Sequence, residues 1–442
     1  MVARLRARVG LDEAIGGGLA AVAIVLMLLI GIHDSRRPIY GPIDELTHTA
    51  YVLAVAEDGI PPEVGRDRAF VRPGPLAPRD VRVPPPDKVG SAPLPIGSFG
   101  EVKQAEGIQP PLYYYAAAPV TWFVSGRDKV VALRLFDVFL YLCAAAIIFF
   151  AVCDIGGTVL GGGIATLLFA SANGLMDVMS YVTNGAMMLL LGAAAIWLSA
   201  RGIRDRRLTW PLTAVAAGLA ITHIIVVPLA ALCLLAPGVA QIRARGRAAH
   251  RPVAKRVLVA AVPLGLWVLS NLLRYHWVVP QAPGVNGIGG LGSATTVNVN
   301  VYEFTAQYYL SLITSIQDLF HPLVTSPYVY DWRPLALFVP LTLIGLACAL
   351  LRGTDRQRQA ISLWLIAIVA AHLSVFLMLY LAVILTGGGD FVFRYFTAEQ
   401  AAIACLAGTC FGLLFRNPAL MRTATLIVGL ALAYWTYSAS PL

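Results

Sequence analysis

The chain is poor in charge. Asp, Glu, Lys and Arg make up 13% of its 442 residues, about half the share expected of a soluble globular domain. A water-exposed fold of this length would need a polar surface that these residues cannot supply, so that class is excluded. Cysteine is scarce as well: Cys143, Cys153, Cys233, Cys348, Cys405 and Cys410 all fall in or beside apolar runs. They form no disulfide framework and no metal-ligand spacing, and they read as small buried apolar groups. No internal repeat and no heptad run is present, which sets aside solenoid and coiled-coil architectures.

Apolar residues are what the chain has in excess, at 58%, with a mean hydropathy of +0.73. A membrane crossing takes about 20 apolar residues. By that length the sequence predicts about eleven spans, near 14–32, 130–152, 157–173, 178–200, 208–221, 223–239, 257–275, 334–351, 360–385, 397–415 and 423–440. The pair at 208–239 reads either as two short spans or as one long broken helix with Pro228 inside. The expected fold class is an all-α integral membrane protein occupying 1–442 as a single domain. The first run has a basic start, MVARLRARVG, but no small-residue cleavage site follows it before His33. It is expected to be an uncleaved span rather than a removed signal.

Positive charge is unevenly placed. On this span map one face receives eighteen Lys and Arg, from Arg4 through Arg201, Arg243 and Arg352 to Arg422, against five acids. Nearly all lie in short loops, which marks that face as cytoplasmic, with the N-terminus on it. The net charge of +9 is therefore a topology signal, and nucleic acid is not an expected partner.

Two segments too polar to span fall on the other face, 33–125 and 276–333. The first opens with helical periodicity over 44–57, just after Pro42. Ten of the 28 prolines then lie between Pro61 and Pro95, which predicts extended or turn structure there. The segment closes with IQPPLYYYAAAPVTWFV, an amphipathic, tyrosine-rich piece suited to a short helix in the membrane interface. The second segment holds a Gly- and Asn-rich loop and then an expected helix, YEFTAQYYLSLITSIQDLF. A short third loop, TGGGDFVFRYF, covers 386–396.

Ionisable residues at the membrane boundary are the candidates for chemistry. Asp44 and Glu45 are adjacent after the first span, and His48 shares a helical face with Glu45. Acids also favour a helix's first turn through its dipole, so this pair has a purely structural reading of equal standing. Arg394, at the start of a span, is either a snorkelling cation or an anion site, since its fork matches phosphate oxygens. Arg134, near the start of the second span, is a weaker case, and the ordinary snorkelling reading is favoured for it. Asp177 and His223 lie near the outer ends of spans, and a lone His there reads as a structural residue.

Taken in order, these motifs resemble the GT-C superfamily of polytopic glycosyltransferases, which use polyprenyl-phosphate-linked sugars. The P-x-D-E-x-x-H motif after the first span is Pro42-Ile43-Asp44-Glu45-Leu46-Thr47-His48. The P-P-L-Y-Y motif is Pro110-Pro111-Leu112-Tyr113-Tyr114. An Arg-Leu pair near the start of the second span is Arg134-Leu135, and a late R-Y-F element is Arg394-Tyr395-Phe396. Two departures stand out. Asn184-Gly185 replaces an Asn-Asp pair, where Asp177 is a candidate substitute, and Thr222-His223 replaces a Thr-Lys pair.

The resemblance implies a GT-C-like helix bundle with juxtamembrane helices in the first outer loop, set in a bacterial inner membrane. It implies transfer of a sugar from a polyprenyl-phosphate donor to a glycan, lipid or protein acceptor on the outer face. Asp44 would be the base. Glu45 and His48 would orient it, bind acceptor or hold a divalent metal, for which no closed ligand set is seen. Arg394 would bind the leaving phosphate, and Tyr395, Arg134, Tyr113, Tyr114 and Asp177 would line the substrate site. A secondary transporter or lipid flippase, and a non-catalytic scaffold, are the rival classes. Few ionisable residues at mid-span and no inverted repeat speak against a carrier.

Overall fold

A computed structural model describes residues 2–36, 45–62, 68–70, 101–103, 109–171, 181–276, 333–386, 397–415 and 417–439. The described chain is helical apart from one short ladder. The helices are α1 (Val2–Ser35), α2 (Glu45–Asp58), α3 (Leu112–Ala117), α4 (Asp128–Ile155), α5 (Val159–Ala170), α6 (Gly185–Arg204) and α7 (Trp210–Ala220). They continue with α8 (Val227–Arg245), α9 (His250–Tyr275), α10 (Arg333–Arg352), α11 (Asp355–Thr386), α12 (Thr397–Phe411) and α13 (Pro418–Ala439). Five stretches are long and apolar enough to cross a membrane: Gly10–Ser35, Asp128–Ile155, Gly185–Arg204, Ile224–Tyr275 and Asp355–Met378. Shorter apolar helices accompany them, among them α5, α7 and most of α12 and α13. The chain is thus an all-α membrane protein in its described residues, with one exception that the sequence did not announce. Strands β1 (Arg68–Phe70) and β2 (Glu101–Lys103) pair antiparallel, Arg68 opposite Lys103, between α2 and α3.

The stretch 208–239 is two helices. The chain leaves α7 at Ile221, is extended at His223, and re-forms through a 3₁₀ turn over Ile224–Val226. Pro228 sits in the first turn of α8, where its missing N–H has no partner to lose; the proline inside α8 is Pro237. Side-chain caps fix neighbouring starts. Thr158 accepts from the Gly161 amide at 3.0 Å before α5, and Thr209 accepts from the Leu212 amide before α7, each satisfying one otherwise orphaned donor. Glycine at positive φ ends α4, at Gly156 (φ +140°), and separates α8 from α9, at Gly246 (φ +62°), conformations that a side chain disfavours.

Helix α5, VLGGGIATLLFA, is the centre of the bundle. It packs against α1, α4, α12 and α13, and eleven of its twelve residues are buried. Its glycines let backbones touch. A Cβ at Gly161 would strike the Gly408 carbonyl on α12, and one at Gly163 would strike the Gly16 carbonyl on α1. In lipid, where burying apolar surface gains little, such close backbone packing is a main source of helix association. The lipid-facing surfaces carry Leu258, Leu266 and Leu273 on α9, Ile366 and Val369 on α11, and Ile427 and Leu430 on α13, all exposed.

Candidate active site

The helix predicted over 44–57 is α2, beginning at Glu45. Glu45 is fully buried. Its carboxylate accepts two parallel bonds from Arg134 on α4, Nε to Oε1 at 2.7 Å and Nη2 to Oε2 at 2.7 Å. The Arg134 side chain is also fully buried, and its Nη1 donates to the Ser35 carbonyl at the end of α1 (3.2 Å). The guanidinium lies 5.5 Å from the ring centre of Tyr181. Glu45 Oε1 also accepts the Val182 amide at 2.9 Å. A bidentate Arg–carboxylate pair with additional donors is the geometry in which two buried charges offset the cost of leaving water.

One turn along α4 stands Asp137, fully buried. Its Oδ2 accepts the Tyr113 hydroxyl (2.9 Å) and the Thr183 amide (2.9 Å). Its other oxygen, Oδ1, has no hydrogen-bond partner among the described residues. Two acids therefore hold two consecutive backbone amides, Glu45 the amide of residue 182 and Asp137 that of residue 183. They fix the short segment leading into α6. Asn184 adds a weaker link at 3.5 Å to the Thr222 carbonyl, and the Leu112 amide reaches the Ile221 carbonyl at 3.1 Å, tying α3 to the end of α7.

The tyrosine run divides. Tyr113 and Tyr114 are fully buried, whereas Tyr115 is exposed and donates to the Gly59 carbonyl. Tyr114 stacks on Tyr51 of α2, centroids 3.5 Å apart, and shares a 2.8 Å hydrogen bond with His48 Nδ1. Burial pushes the Tyr113 phenol well above the usual tyrosine range, with the nearby Asp137 and then Glu45 acting in the same direction. Tyr113 thus remains a donor. Trp122 and Phe123, on the 3₁₀ turn Ala118–Phe123, are exposed, as an interfacial aromatic belt requires.

Of the residues singled out from the sequence, Glu45, His48, Tyr113, Tyr114 and Arg134 come together in one buried cluster. Asp44, Asp177, Arg394 and Tyr395 lie outside the described residues. Arg134 is committed to Glu45 and Ser35, and Glu45 to Arg134 and Val182, so both orient neighbouring chain. His223 accepts the Ile225 amide at Nδ1 and caps the 3₁₀ turn before α8, the structural role expected of it. Asp137 was missed. Its signal was an acid inside the apolar run ALRLFDVFL, three residues after Arg134. Among the described residues no group of three His, Cys, Asp or Glu side chains forms that could hold a metal.

No protein-family model and no curated protein matches the chain. Among the solved structures similar to the chain is one of low identity. That structure is the oligosaccharyltransferase of Archaeoglobus fulgidus in complex with zinc and sulfate; the match has 11% identity and a TM-score of 0.48, and covers 96% of this chain and 52% of that one. The chain here spans about half the length of that protein.

Proposed function

We propose that the protein is a membrane glycosyltransferase that moves a sugar from a polyprenyl-phosphate donor to a cell-envelope glycan, lipid or protein acceptor on the extracytoplasmic face. One observation carries the reading. Three motifs that define the sequence resemblance are separated by up to 89 positions, and they converge in one dry cluster: Glu45 and His48, Tyr113 and Tyr114, and Arg134. Residues that merely ended helices or anchored at the interface would have no reason to meet.

In this reading Asp44 takes the acceptor proton as the hydroxyl attacks the anomeric carbon, a contribution of about 10²–10⁴-fold. Glu45, its neighbour in sequence, is the fixed point that orients it, clamped by Arg134. Asp137 and Tyr113 set the segment leading into α6. Arg394 receives the leaving phosphate and offsets the charge developing there, with Tyr395 beside it. Asp177 lies in the stretch just before the clamped amides and serves the acceptor side. The residues that would hold a divalent metal are His48 and Glu45. The N-terminus is cytoplasmic, and the membrane is a bacterial inner membrane.

The transporter reading gains one observation of its own. His372 on α11 and Glu399 on α12 pair at 3.2 Å, both partly buried, and ionisable pairs between spans are what a carrier uses. Native mass spectrometry of the detergent-purified protein separates the two. Wild type and Arg394→Ala are titrated with a polyprenyl phosphate and a control phospholipid. Selective binding of the polyprenyl phosphate, weakened by the substitution, supports the donor site and leads to a transfer assay with Asp44→Asn as the inactive control. Binding no tighter than the control lipid, and unchanged in the variant, rejects it and moves the transporter and scaffold readings ahead.

A further inference from the structure

Charges at one end of the bundle fall into two kinds. Several cations have partners. Arg204 bonds Asp154 at 3.2 Å and Asp205 at 2.9 Å, Arg422 pairs with Asp12, and Arg356 donates to the Asp154 carbonyl. The turn between α8 and α9 is different. Arg243, Arg245, Arg247, Arg251 and Lys255 are all exposed, and among the described residues none of them makes an ion pair. No Asp or Glu occurs in the sequence between Asp205 and Glu303, so no local acid is available to them. Arg256 completes the group. Its guanidinium lies 5.3 Å from the ring centre of Trp210, and its Nε is buried with no hydrogen-bond partner.

The position of this turn decides what it meets. Just before it, α8 exposes Leu232, Leu235 and Val239; just after it, α9 exposes Leu258, Val259 and Val262. Those surfaces belong in hydrocarbon. Val239 precedes Arg243 by one helical turn, and Leu258 follows Lys255 by three residues, so the cations stand at the level where acyl chains give way to headgroups. Trp210, half exposed, opens α7 at the same level, where indole rings favour the interface. The glycine at Gly246 folds α8 back along α9 and concentrates the charge instead of spreading it along one long helix.

We propose that the α8–α9 turn is a binding surface for anionic phospholipid headgroups, the phosphates of a lipid such as cardiolipin bridging Arg243, Arg247, Arg251 and Lys255. This is independent of the sugar-transfer reading, because the ligand is a structural lipid and none of these residues belongs to the Glu45 cluster. A basic cluster beside a membrane-crossing helix gains about fivefold in affinity for an anionic surface per cation, and that gain is screened by salt.

The test is native mass spectrometry of the full chain with tetraoleoyl cardiolipin and, in parallel, dioleoyl phosphatidylcholine. Wild type should bind cardiolipin more tightly, with the advantage falling as ammonium acetate is raised. The double variant Arg251→Gln/Lys255→Gln should lose on the order of 25-fold in cardiolipin affinity, with phosphatidylcholine binding unchanged. Arg356→Gln, also a cation but one with a backbone partner, should leave both unchanged. Equal binding of the two lipids by wild type, or cardiolipin binding that ignores salt, overturns the proposal and leaves an acidic protein partner as the occupant. Full retention by the double variant overturns it too. If that variant fails to fold, the wild-type salt series decides alone. Arg394→Ala, the test of the donor site, should not alter cardiolipin binding, so the two proposals fail separately.

Discussion

The Glu45–Arg134 cluster and the α8–α9 turn both concentrate charge in a largely apolar bundle, and they treat it in opposite ways. In the first, the members of a buried pair bond each other twice, and each also bonds the backbone, Arg134 at the Ser35 carbonyl and Glu45 at the Val182 amide. In the second, five cations are exposed and make no ion pair among the described residues. The contrast separates charge that organises the protein from charge offered to a partner. A buried pair is costly to half-remove, because the remaining ion is stranded in low dielectric. An exposed cation loses little to the fold when it is deleted.

The sharpest way to break that comparison is Arg134→Ala, which strands Glu45. A loss of about 3–5 kcal/mol is expected, read as a collapse of folded yield or a large drop in thermal midpoint in detergent. The double variant Glu45→Leu/Arg134→Met should be more stable than Arg134→Ala, since it removes both charges. A double variant no better than the single would mean that the pair's other bonds, not its charge, hold the cluster.

Tyr113→Phe comes next. It deprives Asp137 of a donor and should cost about 1–3 kcal/mol at neutral pH. It should also alter the alkaline limb. A phenol raised in the folded state stabilises the fold fully below its unfolded pKa of about 10, and that contribution is lost as pH rises from there towards the folded value. Wild type should therefore lose stability above about pH 10 more steeply than Tyr113→Phe, as followed by thermal melts across pH 8–12. Parallel curves would remove Tyr113 as the titrating group.

Arg204→Gln probes an intermediate case, a cation paired at the bundle's edge with partly exposed acids. Its effect should be under about 1 kcal/mol and should shrink in high salt. The smallest change in stability is expected for Arg243→Gln/Arg245→Gln, within about 0.5 kcal/mol per substitution, together with weakened cardiolipin binding. A large destabilisation there would erase the distinction between the two regions.

Helices were legible in the sequence because a bilayer allows few ways to satisfy backbone groups. The runs at 130–152 and 257–275 therefore announce α4 and α9 by composition alone. The break between α7 and α8 was harder, since Pro228 drew attention, yet the chain turns at Ile221–His223 through local backbone bonds that composition does not encode. The β1–β2 pair was hidden because two strands of three residues each, about thirty positions apart, carry no period to read. In the site, the separate pieces Glu45, His48 and Arg134 were visible as boundary charges, but their meeting was not, because nothing in a one-dimensional pattern links positions 45 and 134. The tyrosines misled in part. An interfacial belt accounts for Tyr115, Trp122 and Phe123, while Tyr113 and Tyr114 turn inward to serve Asp137 and His48. Asp137 was passed over because its partner at Thr183 is a backbone amide, a donor that every residue type except proline supplies.

The two carboxylates that hold the amides of Val182 and Thr183 have a mechanical consequence. A body fixed at one point can still swivel about it; fixed at two, it can turn only about the line between them. Because Glu45 comes from α2 and Asp137 from α4, the start of α6 is fastened to two separate elements at adjacent links of its chain. Any movement that opens the cluster must either release both fastenings at once or carry α2, α4 and α6 together as a single plate, with its pivot placed elsewhere in the bundle.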